Sequence, residues 1–339
     1  MPKIKKAEVT LNYQQYIPGP PSTPQSLYQQ ACSNDGATIG AWRDTWIKNV
    51  TANHKKYGPF KECSIASLFK TNHMKPAIIA GSGPSLVKNG VELKDRGDIP
   101  LISCLHNFHY MEDNDLKPEY YVTLDAGDIT VGEVSEGGAK TEAEYWEITA
   151  DRTLLAFIGS PPALLDKWKG KILFFNCPVP DEEFTKVVED VEIFNVFVSN
   201  GGNVLGGCLY IAKSVMGSNP ITFVGADFAF SYENKFHGWD SKYDGKMGHT
   251  VKAVDVFGMP VQTWQSYANF KSWFEFVACQ VPGNYVNCTE GGTFGAYPEG
   301  NIMQVQQMDL CDFYRIYNLV DELKECCENS EVEEKKVLF

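Results

Sequence analysis

The chain predicts a doubly wound α/β fold, a mostly parallel Rossmann-like sheet with helices on both faces. Three observations carry that expectation. Short apolar runs of strand length recur at 77–80, 101–104, 120–124, 154–158, 171–175 and 221–225. Helical candidates lie between and beside them, notably 142–149, 161–168 and 203–216. The first apolar run breaks into Gly81-Ser82-Gly83-Pro84-Ser85, which reads as a tight turn from a buried strand into a helix.

That turn can be read in two ways. Gly81 and Gly83 allow a sharp bend and let a ligand approach bare backbone. Pro84 suits the first position of a helix, where a missing N–H costs nothing. Unpaired amides at a helix start then seat a phosphate or another anion. A purely structural turn is the equal alternative, because Gly-x-Gly after a strand is common.

Ligands of such folds lie beyond the carboxyl ends of the strands, so the loops that follow each strand matter most. Four of these loops carry polar or glycine residues: 81–85, 103–107 with His106 and Asn107, 123–128 with Asp125 and Asp128, and 225–231 with Asp227. A second glycine-rich helix start, Ser199-Asn200-Gly201-Gly202-Asn203, precedes the last of the six strands, and Asn200 or Asn203 could cap it.

Composition bounds the function. The 339 residues are 43% hydrophobic and 13% aromatic, as expected of a soluble globular chain with an ample core. A formal net charge of −13 argues against direct nucleic-acid binding, which needs a basic surface. There are ten cysteines but no Cys-x-x-Cys pair, and several lie in apolar stretches, so a reduced, cytoplasmic protein is expected. The basic start at 1–6 is followed by no apolar segment, and there is no apolar run of spanning length. Neither a signal peptide nor a membrane partner is expected.

Four segments follow. Residues 1–35 are polar and proline-rich and read as an extended arm, of the kind that wraps a neighbouring subunit; a homo-oligomer stays open. Residues 36–75 form an N-terminal helical segment, with Trp42, Trp46, Ile47 and Val50 at helical spacing. Residues 76–310 form the Rossmann-like domain, in which 231–263 loses periodicity and reads as an irregular lid. Residues 311–339 are a C-terminal helix and a charged tail.

In this order the motifs resemble a known family. The segments at 76–86 (PAIIAGSGPSL), 122–125 (VTLD), 219–230 (NPITFVGADFAF) and 287–292 (NCTEGG) are similar to the motility accessory factor (Maf) proteins. Those proteins share their central domain with the 6-hydroxymethylpterin diphosphokinase MptE-like family, and the resemblance covers about 40–310. It implies a Rossmann-like catalytic domain related to bacterial sialyltransferases. The implied activity is transfer of a nonulosonic, sialic-acid-like sugar from a CMP-sugar donor to an acceptor hydroxyl on a glycan, protein or small molecule. The chain is shorter than Maf proteins, so the acceptor is the least transferable part.

Under that resemblance, Gly81, Ser82, Gly83, Pro84 and Ser85 would hold the donor's phosphate or ribose through amides and hydroxyls. Asn107, Gly202 and Asn203 would contact the nucleotide, and Thr289, Glu290 and Gly291 would complete the pocket. Asp125 would bind a ribose hydroxyl or, with Asp128, a Mg²⁺ ion through oxygen ligands. Asp227 would orient a base or a hydroxyl. His237 would act as general base, since an imidazole titrates near neutrality; His106 and His249 compete with it. For the loop carboxylates and amides the alternative is a turn or helix cap. Two rival functions remain: an ATP- and Mg²⁺-dependent pyrophosphokinase using Asp125, Asp128 and Asp227, and a non-enzymatic nucleotide-binding or assembly module.

Overall fold

The computed structural model describes residues 24–191, 196–235, 237–238 and 250–318, with side chains from residue 38 onward. Helix α1 (Pro24–Tyr57) leads into short turns and strand β1 (Ala77–Ala80). Then follow α2 (Leu86–Asn89), β2 (Leu101–Cys104), α3 (Phe108–Asp113), β3 (Tyr120–Thr123), α4 (Ile129–Ser135) and α5 (Glu142–Ile148). Next come β4 (Thr153–Phe157), α6 (Pro162–Lys167), β5 (Lys171–Phe175), α7 (Glu182–Asp190) and α8 (Val204–Tyr210), whose last turn widens to a π-helix at Ile211–Val215. The remainder is β6 (Ile221–Val224), β7 (Thr250–Val254), β8 (Pro260–Trp264), α9 (Gln265–Gln280), β9 (Tyr285–Asn287), β10 (Val305–Gln307) and a helix, α10, over 310–318.

Eight strands form one sheet in the order β10-β9-β6-β1-β2-β3-β4-β5. Every pairing in it is parallel. The expected α/β fold is therefore the observed one. β1, β2 and β6 are buried along their whole length, which is why they read as continuous apolar runs rather than alternating ones. The chain builds outward from β1 to β5 and then returns to lay β6 on the other flank of β1. This reversal opens a crevice between β1 and β6, where ligands of open α/β sheets bind.

The structure redraws three expected segments. Residues 1–23 lie outside the described residues, but the chain is helical from Pro24, so an extended arm does not run to residue 35. Within 231–263, β7 and β8 form an antiparallel hairpin; it is tied to the β6 loop where the Phe230 amide donates to the Gln262 carbonyl at 2.9 Å. Residues 236 and 239–249 of the lid, His249 among them, lie outside the described residues. Ahead of the C-terminal helix, which starts at 310, residues 305–307 pair with β9 as the edge strand β10, an element not expected in that stretch.

One face of α1 carries Trp42, Trp46, Asn49 and Asn53 at helical spacing. Asn49 Nδ2 donates to the Ala126 and Gly159 carbonyls at 3.0 Å, and Asn53 Nδ2 to the Ile158 and Ser160 carbonyls at 2.8 Å. These four bonds fix α1 across the loops that follow β3 and β4. They also satisfy loop carbonyls that would otherwise be buried unpaired.

Candidate active site

A cavity of about 290 Å³ opens at the carboxyl ends of β1, β2, β3 and β6. Its walls include Gly81, Ser82 and Gly83 after β1, His106 after β2, Asp125 after β3 and Asp227 after β6. Glu133 of α4, Asn203 at the start of α8 and His237 beyond β6 close it. Eight of the sequence candidates, His106 among them as the rival of His237, thus meet at one site. Gly202 lines a neighbouring cavity of about 430 Å³ that shares Asp125, Asn203, Val204 and Phe270 with the first.

The glycine turn is organised by Asp227. Its buried carboxylate accepts the Ser85 hydroxyl at 2.7 Å and the Ser85 amide at 3.3 Å. A Cβ on Gly83 would fall 1.9 Å from Asp227 Oδ2, so only glycine admits the carboxylate there. The Gly81 amide donates to the Val224 carbonyl at 2.9 Å and the Gly83 amide to the Gly225 carbonyl at 2.8 Å. Asp227, from the loop after β6, therefore fills the anion seat expected of the turn, and Ser82 contributes the amide outside this set. Burial pushes the Asp227 carboxyl up to about 6, against the two Ser85 hydrogen bonds.

Asp227 also anchors the turn after β9. Its carbonyl accepts the Thr293 amide at 2.7 Å, and a Cβ on Gly292 would lie 2.3 Å from the Asp227 Cα. Thr289 Oγ accepts the Ala226 amide at 3.0 Å. Glu290 turns the other way: its carboxylate accepts from Asn89 Nδ2 and from the Leu310 amide, both at 3.3 Å. Thr289, Glu290 and Gly291 thus support the pocket from behind and do not line it.

Three more candidates stand outside both cavity walls. Pro84 precedes α2 in the turn. Asn107 Nδ2 donates to the Ala80 and Gly81 carbonyls at 3.1 and 3.0 Å and to Ser103 Oγ at 3.1 Å, stapling the end of β1 to the end of β2. Asp128 is exposed at the start of α4. The pairing of Asp125 with Asp128 is not a feature of the cavity. Instead, α4 carries Glu133 to the cavity wall beside Asp125, a partner the sequence reading missed.

The cavity's polar chemistry is concentrated in two imidazoles and, besides Asp227, two carboxylates. His237 Nδ1 lies 3.1 Å from the Ser82 carbonyl. A carbonyl only accepts, so Nδ1 carries the proton and Nε2 is the basic nitrogen. His106 Nδ1 likewise faces a Glu133 carboxylate oxygen at 3.1 Å. The two rings pack at 4.3 Å between centroids, tilted by 43°. Protein burial pushes the Asp125 carboxyl up to about 6, helped by the Glu133 charge and opposed by His106. Asp125 is crowded by protein yet bares over a third of its surface to the two cavities, so water there moderates the shift.

The start of α8 supplies the second polar wall. Asn203 Oδ1 caps the helix by accepting the Gly206 amide at 2.9 Å. The amides of Val204 and Leu205, both in the cavity wall, are first-turn amides with no intrahelical acceptor. No lysine or arginine lines either cavity among the described residues. Among those residues, too, no three His, Cys, Asp or Glu side chains form a metal-sized cluster.

Comparison with known proteins places this architecture. A solved structure, the MAf glycosyltransferase from Magnetospirillum magneticum AMB-1, superposes with a TM-score of 0.52 at 16% identity. The match covers 74% of this chain and 38% of that one, so this chain spans well under half its length and the likeness is one of fold. No curated protein sequence matches the chain. The sequence pattern of the family described as 6-hydroxymethylpterin diphosphokinase MptE-like matches residues 45–233, more than half of the chain and all of the sheet from β1 to β6. The chain belongs to the 6-hydroxymethylpterin diphosphokinase MptE-like family.

Proposed function

We propose that this protein is a glycosyltransferase-like enzyme that moves a nonulosonic sugar from a CMP-sugar to an acceptor hydroxyl. The observation that carries the reading is the fixed tautomer of His237. Its Nδ1–H is held by the Ser82 carbonyl, which makes Nε2 the nitrogen able to take a proton at the cavity wall. His237 Nε2 removes the proton of the acceptor hydroxyl as that oxygen bonds to the anomeric carbon. The bond from that carbon to the CMP phosphate oxygen breaks, and the phosphate keeps the electron pair. With no lysine or arginine in the described wall, the leaving phosphate is met by the Ser82 amide and the first amides of α8. Asp227 acts at one remove, holding the turn that positions Ser82 and, through it, His237.

A second reading, ATP-dependent pyrophosphoryl transfer, is favoured by the description of the family. It asks Asp125, Asp128 and Asp227 to hold Mg²⁺, and these residues do not fit that task together. Asp227 is bound to Ser85, Asp128 lies outside the cavity, and Asp125 is left with Glu133.

The test is to incubate the purified chain with a CMP-nonulosonic acid, and separately with ATP, Mg²⁺ and a hydroxymethylpterin. CMP release that His237→Ala abolishes is the expected result. AMP formation in the second incubation supports the rival, and no binding of CMP or any CMP-sugar at millimolar concentration sinks the proposal.

A further inference from the structure

The second cavity shares a wall with the first, and nothing in the transfer just described occupies it. Its volume of about 430 Å³ is in the range of small-molecule sites. It is walled by α1, the loops after β3 and β5, the start of α8 and the start of α9. Resting on the transfer reading above, we infer that this cavity is the acceptor subsite and that it takes an uncharged sugar ring stacked on Trp42.

Trp42 is the first support. It stands two turns before Asn49 on the α1 face that is pinned to the sheet's carboxyl end. Its indole edge rests on Gly127, where a Cβ would lie 3.1 Å from Cη2, so the ring is held against the loop after β3. Even so, Trp42 is 40% exposed, although its neighbour Trp46 is packed edge-on against Phe157 and Phe184. An open indole beside a cavity is a platform for the apolar C–H face of a pyranose.

Charge is the second support. Asp125 is the one ionisable carboxylate in this wall, and no lysine or arginine is described there. A phosphorylated or carboxylated acceptor would meet a negative group with no cation to offset it, so a neutral one fits better. The third support is the shared wall. Asn203 Oδ1 is committed to the Gly206 amide, and its Nδ2 has no hydrogen-bond partner. Asn203 and Asp125 therefore stand between the sugar ring and the donor cavity, where the attacking hydroxyl must cross.

The experiment uses the full chain and a panel of methyl glycosides of neutral hexoses and N-acetylhexosamines. Saturation-transfer NMR reads ring contact, and CMP release from a CMP-nonulosonic acid reads chemistry. The expected result is saturation of ring C–H protons with the wild type, lost in Trp42→Ala. At least one glycoside should also accelerate CMP release by about tenfold, a gain of about 1.4 kcal/mol. Trp42→Ala should lose that acceleration. The inference is overturned if no glycoside contacts the wild type at millimolar concentration, or if Trp42→Ala behaves as the wild type. It is overturned equally if a serine- or threonine-containing peptide gives the Trp42-dependent acceleration and no glycoside does. Trp42-dependent glycoside contact without any CMP release would keep the saccharide subsite and reject the transfer reading.

Discussion

The Asp227 carboxylate accepts the Ser85 hydroxyl at 2.7 Å and thereby joins the turn after β6 to the turn after β1 across the point where the sheet reverses. Through Thr293 the same residue also holds the turn after β9. The role is one of positioning. Removing the side chain leaves Ser85 buried without its acceptor. Asp227→Ala should therefore lose about 2–3 kcal/mol of stability and Asp227→Asn distinctly less, since an amide oxygen can still accept the hydroxyl. Denaturant unfolding of the two variants beside the wild type checks the order.

The same carboxylate sets a pH dependence. Its folded pKa is about 6, against an ordinary value of 3.8. Between those values the folded chain keeps a proton that the unfolded chain has released. Stability from this group is full below pH 3.8 and is lost as pH rises through 6, by about 3 kcal/mol at most. Unfolding free energies of the wild type and Asp227→Asn should diverge in slope across that window, with the variant the flatter.

Two glycine substitutions should move stability in opposite directions. Gly83→Ala drives a methyl into Asp227 Oδ2 and should cost more than about 3 kcal/mol or prevent folding. Gly40 lies in α1 with nothing within 4 Å of an added Cβ. Gly40→Ala should stabilise by about 0.5–1 kcal/mol. Thermal melts of both variants are sufficient to see it.

His237 is predicted to act in chemistry more than in folding. His237→Asn retains an N–H donor for the Ser82 carbonyl and loses the basic nitrogen. Donor turnover should fall by about 10²–10⁴-fold while the melting temperature stays close to that of the wild type. Equal losses of stability and turnover would instead make His237 a structural residue.

Asp125 should tune binding of an anion. Its carboxyl is raised to about 6, so a phosphate in the cavity meets a neutral group below that pH and a repelling charge above it. Calorimetric affinity for CMP should weaken as pH rises from 5 to 7, and Asp125→Asn should flatten the part of that trend owed to this carboxyl.

Much of this architecture is legible in the chain. Fully buried parallel strands are apolar at every position, so β1, β2 and β6 stand out, and their loops point to Gly81, His106 and Asp227. The β7–β8 hairpin is not legible, because its strands are largely half-exposed and carry Lys252 and Gln262 among their apolar residues. The filling of the glycine turn by Asp227 is a contact across 142 residues, and local pattern does not encode it. Glu133 could have been found: it lies one helical turn after Ile129 at the start of α4, which brings it back toward the loop that holds Asp125.

The most direct test is a crystal of the protein soaked in parallel with CMP and with ATP. The account predicts CMP in the cavity bounded by Ser82, His237 and the start of α8, with its phosphate at those backbone amides. ATP with a metal ion bound between Asp125 and Glu133, or nucleotide at a different face of the sheet, would contradict it.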